Sequence, residues 1–151
     1  MNSATTDHPK PNWHDAFPAP RATAPTITRE EVLPVLSSGD LLLVDVRRTD
    51  FEGGTIKGSL NLPAHSFYMN RAVLFDLCKR AGVKKVAFYC GSSNGRGPRC
   101  SGWFADYIAE QDDNQLQSLT LEGGIKGWVK AGNLYTQQLE GFEPEYWKQF
   151  A

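Results

Sequence analysis

The sequence predicts an α/β fold in which a central parallel sheet is flanked by helices on both faces. Largely apolar runs at residues 41–46, 86–89 and 119–121 predict strands, and the first run is typical of a strand that is buried on both faces. Apolar residues recur with helical spacing from residue 98 to about residue 109, which indicates an amphipathic helix between the last two runs. Strands that alternate with helices predict a parallel sheet whose functional residues lie at the carboxyl ends of its strands.

Capping and turn residues predict the remaining elements. Thr28 and Glu31 match a capping box, and Pro34 shortens or kinks the helix that they begin. We further expect a short strand at residues 60–62, a helix at residues 70–81 capped by Gly82, a turn at residues 123–124 that leads into a helix, and a last helix that begins at Pro144.

The amino-terminal segment differs in composition from the rest of the 151-residue chain, which is long enough for one domain. Residues 1–26 hold five of the nine prolines and two large apolar side chains, Trp13 and Phe17. Such a segment buries too little surface to offset the entropy of ordering it. We expect a proline-rich flexible arm at residues 1–26, with docking of its two aromatic residues as the alternative, and one catalytic domain at residues 27–151.

Charge and cysteine usage argue against several classes of protein. The formal net charge of −1 disfavours nucleic acid as a partner, and no apolar run approaches the ~20 residues that span a membrane. Three cysteines do not make a disulfide framework, and isolated histidines predict no metal site. We expect a protein of the reducing cytoplasm, with a nuclear location left open and no secretory signal.

A candidate active-site loop begins at Cys90, between the second apolar run and the amphipathic helix. Glycines let a short loop turn its N–H groups around an anion, and an arginine binds two oxygens of that anion. The thiolate is the nucleophilic form of cysteine, and it is favoured near a helix amino terminus and cations. We predict that Cys90 and Arg96 are catalytic and that the loop binds a tetrahedral oxyanion. Its predicted anion-binding residues are Gly91, Ser92, Ser93, Asn94, Gly95 and Arg96.

Residues around this loop have competing interpretations. Asp45 ends the first predicted strand at the same sheet edge, where it either orients an arginine of the site or forms a structural salt bridge. Arg99 is a possible supporting cation. Cys78 and Cys100 lie on apolar helical stripes and are expected in the core, and Cys100 is a resolving cysteine only if its sulfur reaches the nucleophile. His65 is expected to be a loop histidine rather than a catalytic base.

Two stretches resemble the signatures of the rhodanese-homology domain. They comprise Asp45-Val46-Arg47, Phe51 and residues 54–63 in the first, and residues 121–124, Trp128, Ala131 and Gly132 in the second. The resemblance extends from about Thr28 to Trp147 and implies a rhodanese-like fold. The chain departs from the family pattern at Thr55, often a histidine, and at Lys57, often a proline.

The length of the loop separates groups within that family. Sulfurtransferases of this fold usually carry four residues between the cysteine and the closing residue, whereas this chain has five. The longer loop resembles that of dual-specificity phosphatases of rhodanese fold and of eukaryotic arsenate reductases. The phosphatases often have a glutamate within the loop and a second cysteine where this chain has Val46. The absence of both favours the arsenate reductase-like group and leaves phosphatase activity open.

The resemblance thus implies a cysteine-thiolate enzyme that acts on a small oxyanion or a phosphorylated substrate, as a phosphatase or an arsenate reductase. It implies no tightly bound cofactor, with glutathione or glutaredoxin as the reductant of an arsenate reductase. Two alternatives stay open: a sulfurtransferase that forms a persulfide on Cys90, and a non-catalytic module that binds a phosphorylated ligand. The sequence does not predict the oligomeric state.

Overall fold

A computed structural model describes residues 12–151 and contains the predicted parallel sheet. Its five strands are all paired in parallel, in the order β1-β6-β5-β2-β4. A second, antiparallel pair joins β3 to β7. The strands are β1 (Thr26–Ile27), β2 (Leu41–Asp45), β3 (Thr55–Ile56), β4 (Leu60–Asn61), β5 (Lys85–Tyr89), β6 (Gln117–Leu121) and β7 (Leu139–Glu140).

Helices cover both faces of the parallel sheet. They are α1 (Arg29–Val32), α2 (Ala64–Phe67), α3 (Arg71–Ala81), α4 (Arg96–Glu110), α5 (Gly124–Lys130), α6 (Asn133–Thr136) and α7 (Pro144–Trp147). Short 3₁₀ turns occupy Trp13–Ala16, Leu33–Val35, Tyr68–Asn70 and Lys148–Phe150. Within residues 12–151, none of these helices combines the length and the apolar character that crossing a bilayer requires.

The central strand β5 divides the hydrophobic core into two layers. Val86 and Phe88 pack with residues of α2, α3 and α4 on one face. Ala87 and Tyr89 pack on the other face with residues of α1, α5 and α7. All four side chains are fully buried, as in a strand that is covered on both faces.

The helix caps agree with the residues that predicted them. Thr28 Oγ1 accepts a hydrogen bond from the Glu31 N–H at 3.1 Å, and Glu31 Oε1 accepts one from the Thr28 N–H at 2.9 Å. Pro34 lies in the 3₁₀ turn that ends α1 after four residues. Gly82 caps α3 in the left-handed conformation, with φ +75°. On α3 itself Leu74 and Cys78 are buried, whereas Leu77 is 52% exposed.

Five short elements were not predicted. Strands β1, β3 and β7 have two residues each, and helices α2 and α6 have four residues each. A segment this short does not complete one period of a helical pattern or repeat a strand pattern. The pairing of β3 with β7 joins residues far apart in the chain, so local sequence does not indicate it.

Residues 12–26 lie along the domain surface and make aromatic contacts with it. Trp13 packs edge-to-face on Trp103 with ring centres 6.0 Å apart, and Phe17 stacks on Tyr68 at 4.7 Å. The indole of Trp103 also donates a hydrogen bond to the Pro18 carbonyl at 2.8 Å. This part of the predicted arm is thus docked, and its expected boundary at residue 26 falls inside β1. The expectation of a flexible arm at residues 1–11 lies outside the described residues.

Candidate active site

Cys90 lies at the carboxyl end of β5 and faces the amino terminus of α4. Its side chain is buried, with 3% exposure. The Gly97 N–H, in the first turn of α4, donates a hydrogen bond to Sγ at 3.4 Å. This donor and the positive end of the helix dipole are both placed to stabilise negative charge on sulfur.

Backbone N–H groups of α5 bind the carbonyl oxygens in the first part of the loop. These carbonyl oxygens therefore point toward α5. The Cys90 carbonyl accepts a hydrogen bond from the Ile125 N–H at 3.1 Å, and the Gly91 carbonyl accepts one from the Lys126 N–H at 2.9 Å. The N–H and C=O of a trans peptide point in opposite directions. The N–H groups of Gly91 and Ser92 are therefore directed away from α5.

The second part of the loop is turned by α4. The Gly95 carbonyl accepts a hydrogen bond from the Arg99 N–H at 3.1 Å, so the N–H of Arg96 points out of the helix. Ser93 adopts the left-handed conformation with φ +61°, which is unusual for a residue with a side chain and tightens the turn. Within the described chain, no protein atom accepts a hydrogen bond from the N–H groups of residues 91–96.

Side chains of the loop divide between an inner and an outer set. Ser93 is buried, and its Oγ accepts a hydrogen bond from the Cys90 N–H at 3.5 Å. Asn94 is exposed at the rim. Arg99 is half-buried and lines a neighbouring cleft of about 350 Å³ together with Asn94, Pro20 and residues 22–24.

Arg96 forms an ion pair with Asp50, a residue that the sequence analysis did not identify. Its Nη1 donates to Oδ1 at 2.7 Å and its Nη2 donates to Oδ2 at 2.6 Å. The hydrogen bonds from Arg96 lower the pKa of Asp50 to about 2. The pKa of Arg96 is raised, first by Asp50 and to a smaller extent by the Cys90 sulfur. Asp50 follows the carboxyl end of β2, and that position at the site edge is the only sequence signal that could have pointed to it.

Asp45 contacts Arg47 and not Arg96. Of the two interpretations given for Asp45, the structural salt bridge is therefore the one that applies. Nε of Arg47 donates to both carboxylate oxygens, and Nη2 donates to Oδ2 at 2.8 Å. Both side chains are buried, with at most 1% exposure. Arg47 also donates to the carbonyls of Asp50, Glu52 and Gly54, so this buried pair shapes the loop that carries Asp50.

The other cysteines and His65 lie where their environments suppress ionisation. Cys78 and Cys100 are free buried thiols; burial raises the pKa of Cys78 to about 11 and raises that of Cys100 as well. His65 stacks on Trp13 with ring centres 4.5 Å apart. Burial, followed by the charges of Arg48 and Arg96, lowers the pKa of His65, so the ring is neutral at pH 7. No cluster of three or more His, Cys, Asp or Glu side chains in residues 12–151 could hold a metal ion.

An aromatic cleft of about 220 Å³ adjoins the loop at Gly91. The ammonium group of Lys126 lies 4.4 Å from the centre of the Phe150 ring, a cation–π distance. Tyr146 and Trp147 line the same cleft, together with Asp50. The sequence analysis did not identify this cleft, because its residues come from the start of α5 and the distant carboxyl terminus.

Gly124 is the residue at which α5 approaches the loop most closely, and its replacement tests the loop geometry. A Cβ atom there would lie 2.5 Å from the Gly91 carbonyl oxygen and 2.6 Å from that of Cys90, at φ +59°. Gly124→Ala is therefore expected to cost roughly 2 kcal/mol or more of folding free energy and to disturb the anion-binding loop. Urea unfolding and catalytic assays of the variant would measure both effects.

The neighbouring Gly123→Ala is the matched control. Its φ of +82° imposes the same backbone strain, but the nearest atoms to an added Cβ are 3.6 Å away, an ordinary contact. It should lose about 1–2 kcal/mol of stability and keep its activity at temperatures where it is folded. Equal losses of activity in both variants would contradict the proposed close contact between α5 and the loop.

Together, the loop and the sheet define an α/β protein that places a buried thiol at a strand end, beside a loop whose N–H groups at residues 91–96 have no acceptor within residues 12–151. The family model of the Rhodanese-like domain matches residues 28–131, more than half of the chain, and the chain belongs to this family. The sequence prediction of a rhodanese-like fold is confirmed.

Two curated proteins and one solved structure illustrate what the chain is similar to. The chain is 29% identical over 109 residues to Arsenate reductase 2.2 of Oryza sativa subsp. japonica, covering 70% of this chain and 82% of the relative. Arsenical-resistance protein 2 of Saccharomyces cerevisiae is 29% identical over 96 residues, covering 59% and 74%. Among solved structures, the yeast protein Ygr203w, described as a protein tyrosine phosphatase of the rhodanese family, superposes with a TM-score of 0.67 at 21% identity and covers 83% and 98%.

Proposed function

We propose that this protein is a thiol-dependent arsenate reductase whose nucleophile is Cys90. The observation that carries the proposal is the run of N–H groups at residues 91–96 without protein acceptors, above a buried cysteine. N–H groups that no protein atom accepts are free to bind an anion, and several of them along one short glycine-rich loop suit an oxyanion with several acceptor oxygens. The names of two curated relatives, Arsenate reductase 2.2 and Arsenical-resistance protein 2, support arsenate as that oxyanion.

In the first step, the Cys90 thiolate attacks arsenic in a bound arsenate. A bond forms between Sγ and arsenic, one arsenic–oxygen bond breaks, and the departing oxygen leaves as water after it takes up a proton. The N–H groups of residues 91–96 and the Arg96 guanidinium stabilise the charge on the remaining oxygens. Gly97 N–H holds the sulfur in line before attack.

In the second step, an external thiol such as glutathione attacks the Cys90 sulfur. The sulfur–arsenic bond breaks and its electron pair stays on arsenic, which is reduced from As(V) to As(III) and leaves as arsenite. The two sulfurs are oxidised to a mixed disulfide. A second thiol or glutaredoxin then releases Cys90, and two thiols are consumed for each arsenate. The proposal includes a cytoplasmic location, where such thiols are kept reduced.

Phosphate ester hydrolysis is the weaker candidate because neither Asp50 nor His65 is a suitable proton donor to an alkoxide. Asp50 has a pKa of about 2 and is ionised at neutral pH. His65 is neutral there because its pKa is lowered by burial. A general acid must carry its proton at the working pH, and neither group does. Arsenate can supply a proton of its own to the departing oxygen.

Three assays on the wild-type protein test this proposal against its alternatives. We expect arsenate-dependent oxidation of NADPH in a coupled assay with glutathione, glutaredoxin and glutathione reductase. Hydrolysis of p-nitrophenyl phosphate should be at least about 100-fold slower in kcat/KM, a difference of the size that a missing acid causes. Thiosulfate treatment should leave no added sulfur on Cys90 in intact-mass spectra. A stable persulfide without arsenate reduction would establish the sulfurtransferase instead.

A further inference from the structure

We propose that Asp50 is a positioning residue that sets the orientation of Arg96 toward the oxyanion, an inference that deepens and rests on the proposed function. The carboxylate binds the far end of the guanidinium through one proton of Nη1 and one of Nη2. Arginine has five N–H donors, so Nε–H and two Nη protons remain. Asp50 therefore fixes the direction of the fork and leaves it enough donors for two oxygens of an anion.

The carboxylate of Asp50 is itself held in place. The Arg48 N–H donates to its Oδ1 at 3.2 Å, and Arg47 Nη1 donates to the Asp50 carbonyl at 3.3 Å. Arg47 is anchored on Asp45, with both side chains buried. Two successive ion pairs thus connect the rigid end of β2 to the arginine of the loop, and the guanidinium is oriented before any substrate arrives.

Positioning by Asp50 carries an electrostatic penalty, because its negative charge lies near the proposed anion site. The Cys90 sulfur also acts on Arg96, and the charges of Arg48 and Arg96 both act on the neutral ring of His65. An inhibitory carboxylate would only repel the substrate, and its removal would raise kcat/KM. A positioning carboxylate lowers the reaction barrier, and its removal would reduce kcat. The two roles predict opposite changes.

Asp50→Asn keeps the shape of the side chain and removes its charge. We expect kcat for arsenate reduction to fall about 10- to 100-fold, the size of effect that a misplaced catalytic group causes. KM for arsenate should not rise by more than about twofold, because the variant site has one negative charge fewer. The loss should persist across the pH range where the rate is independent of pH, which excludes altered ionisation of Cys90 as its cause.

Asp113→Asn is the matched control. Asp113 forms an ion pair with Lys79 at 2.6 Å, and that hydrogen bond also lowers its pKa to about 2. The pair joins α3 to the segment before β6, away from the loop. Its kcat and KM should match the wild type. Counting reactive Cys90 by iodoacetamide labelling and mass spectrometry corrects each preparation for its active fraction.

A measurement that needs no turnover separates this inference from the proposed function. In ¹⁵N NMR spectra of arginine side chains, the two hydrogen bonds to Asp50 should hinder rotation of the Arg96 guanidinium and keep its Nη protons inequivalent. Asp50→Asn should average these signals, while the buried Arg47 serves as an internal reference. Arg96→Lys identifies the Arg96 signals by their loss.

Each outcome decides the inference. Averaged Arg96 signals together with the loss of kcat support positioning by Asp50. Unchanged signals, an unchanged kcat or a higher kcat/KM would overturn it. If the wild type does not reduce arsenate but its Arg96 signals still depend on Asp50, the proposed function fails while the positional role stands.

Discussion

Replacing Cys90 with serine is expected to reduce arsenate reduction to the rate of the reaction without enzyme, a loss of about 10⁴-fold or more. Serine fits the buried site, since the change removes no side-chain carbon. Its oxygen nevertheless cannot take part in the proposed chemistry, because the second step oxidises the sulfur of residue 90 to a disulfide. The coupled NADPH assay, with the background rate subtracted, measures the effect.

Two alanine variants provide the controls for this prediction. Cys78→Ala removes a buried thiol on α3 and should retain activity within about threefold. Cys100→Ala should do the same, because the proposed mechanism takes its second thiol from solution and burial raises the pKa of Cys100. Arsenate reduction by the Cys90→Ser protein at more than a few per cent of the wild-type rate would contradict the assignment of the nucleophile. Loss of turnover in Cys100→Ala alone would indicate an internal resolving cysteine.

The parts of the fold that the sequence predicted are those encoded locally. Strand β5 was predicted because its apolar run is continuous, and α4 because its apolar residues repeat with helical spacing over several turns. The cap of α1 was predicted because Thr28 and Glu31 are three residues apart, and the two residues bond to each other in the structure. In each case the information lies within a short window of the chain.

The parts that could not be predicted depend on contacts between distant segments. Asp50 lies 46 residues from Arg96, and no pattern in the loop after β2 indicates which charge it meets. The aromatic cleft combines α5 with the carboxyl terminus. The docking of Trp13 depends on His65 and Trp103, which are far along the chain. The place of Cys90 at a strand end before a helix was predictable from the sequence, whereas the contact between Arg96 and Asp50 was not.

Asp45→Asn is expected to lower the free energy of unfolding by about 3–5 kcal/mol, because it leaves the Arg47 guanidinium charged and buried without a counter-ion. For a chain of this length the loss corresponds to a fall in Tm of roughly 10 °C or more. Urea unfolding measures the change. The exposed pair of Asp76 and Arg80 on α3 is the control, and Asp76→Asn should change stability by about 0.5 kcal/mol or less.

Replacing both partners of the buried pair by apolar residues would not restore the stability. Buried ion pairs that contact only each other can often be exchanged for apolar groups at little cost. Arg47, however, also donates to the carbonyls of Asp50, Glu52 and Gly54, which would lose their partner. A double variant as stable as the wild type would show that these three bonds do not support the loop. Their loss should also reduce activity in the folded protein, because the same loop holds Asp50 against Arg96.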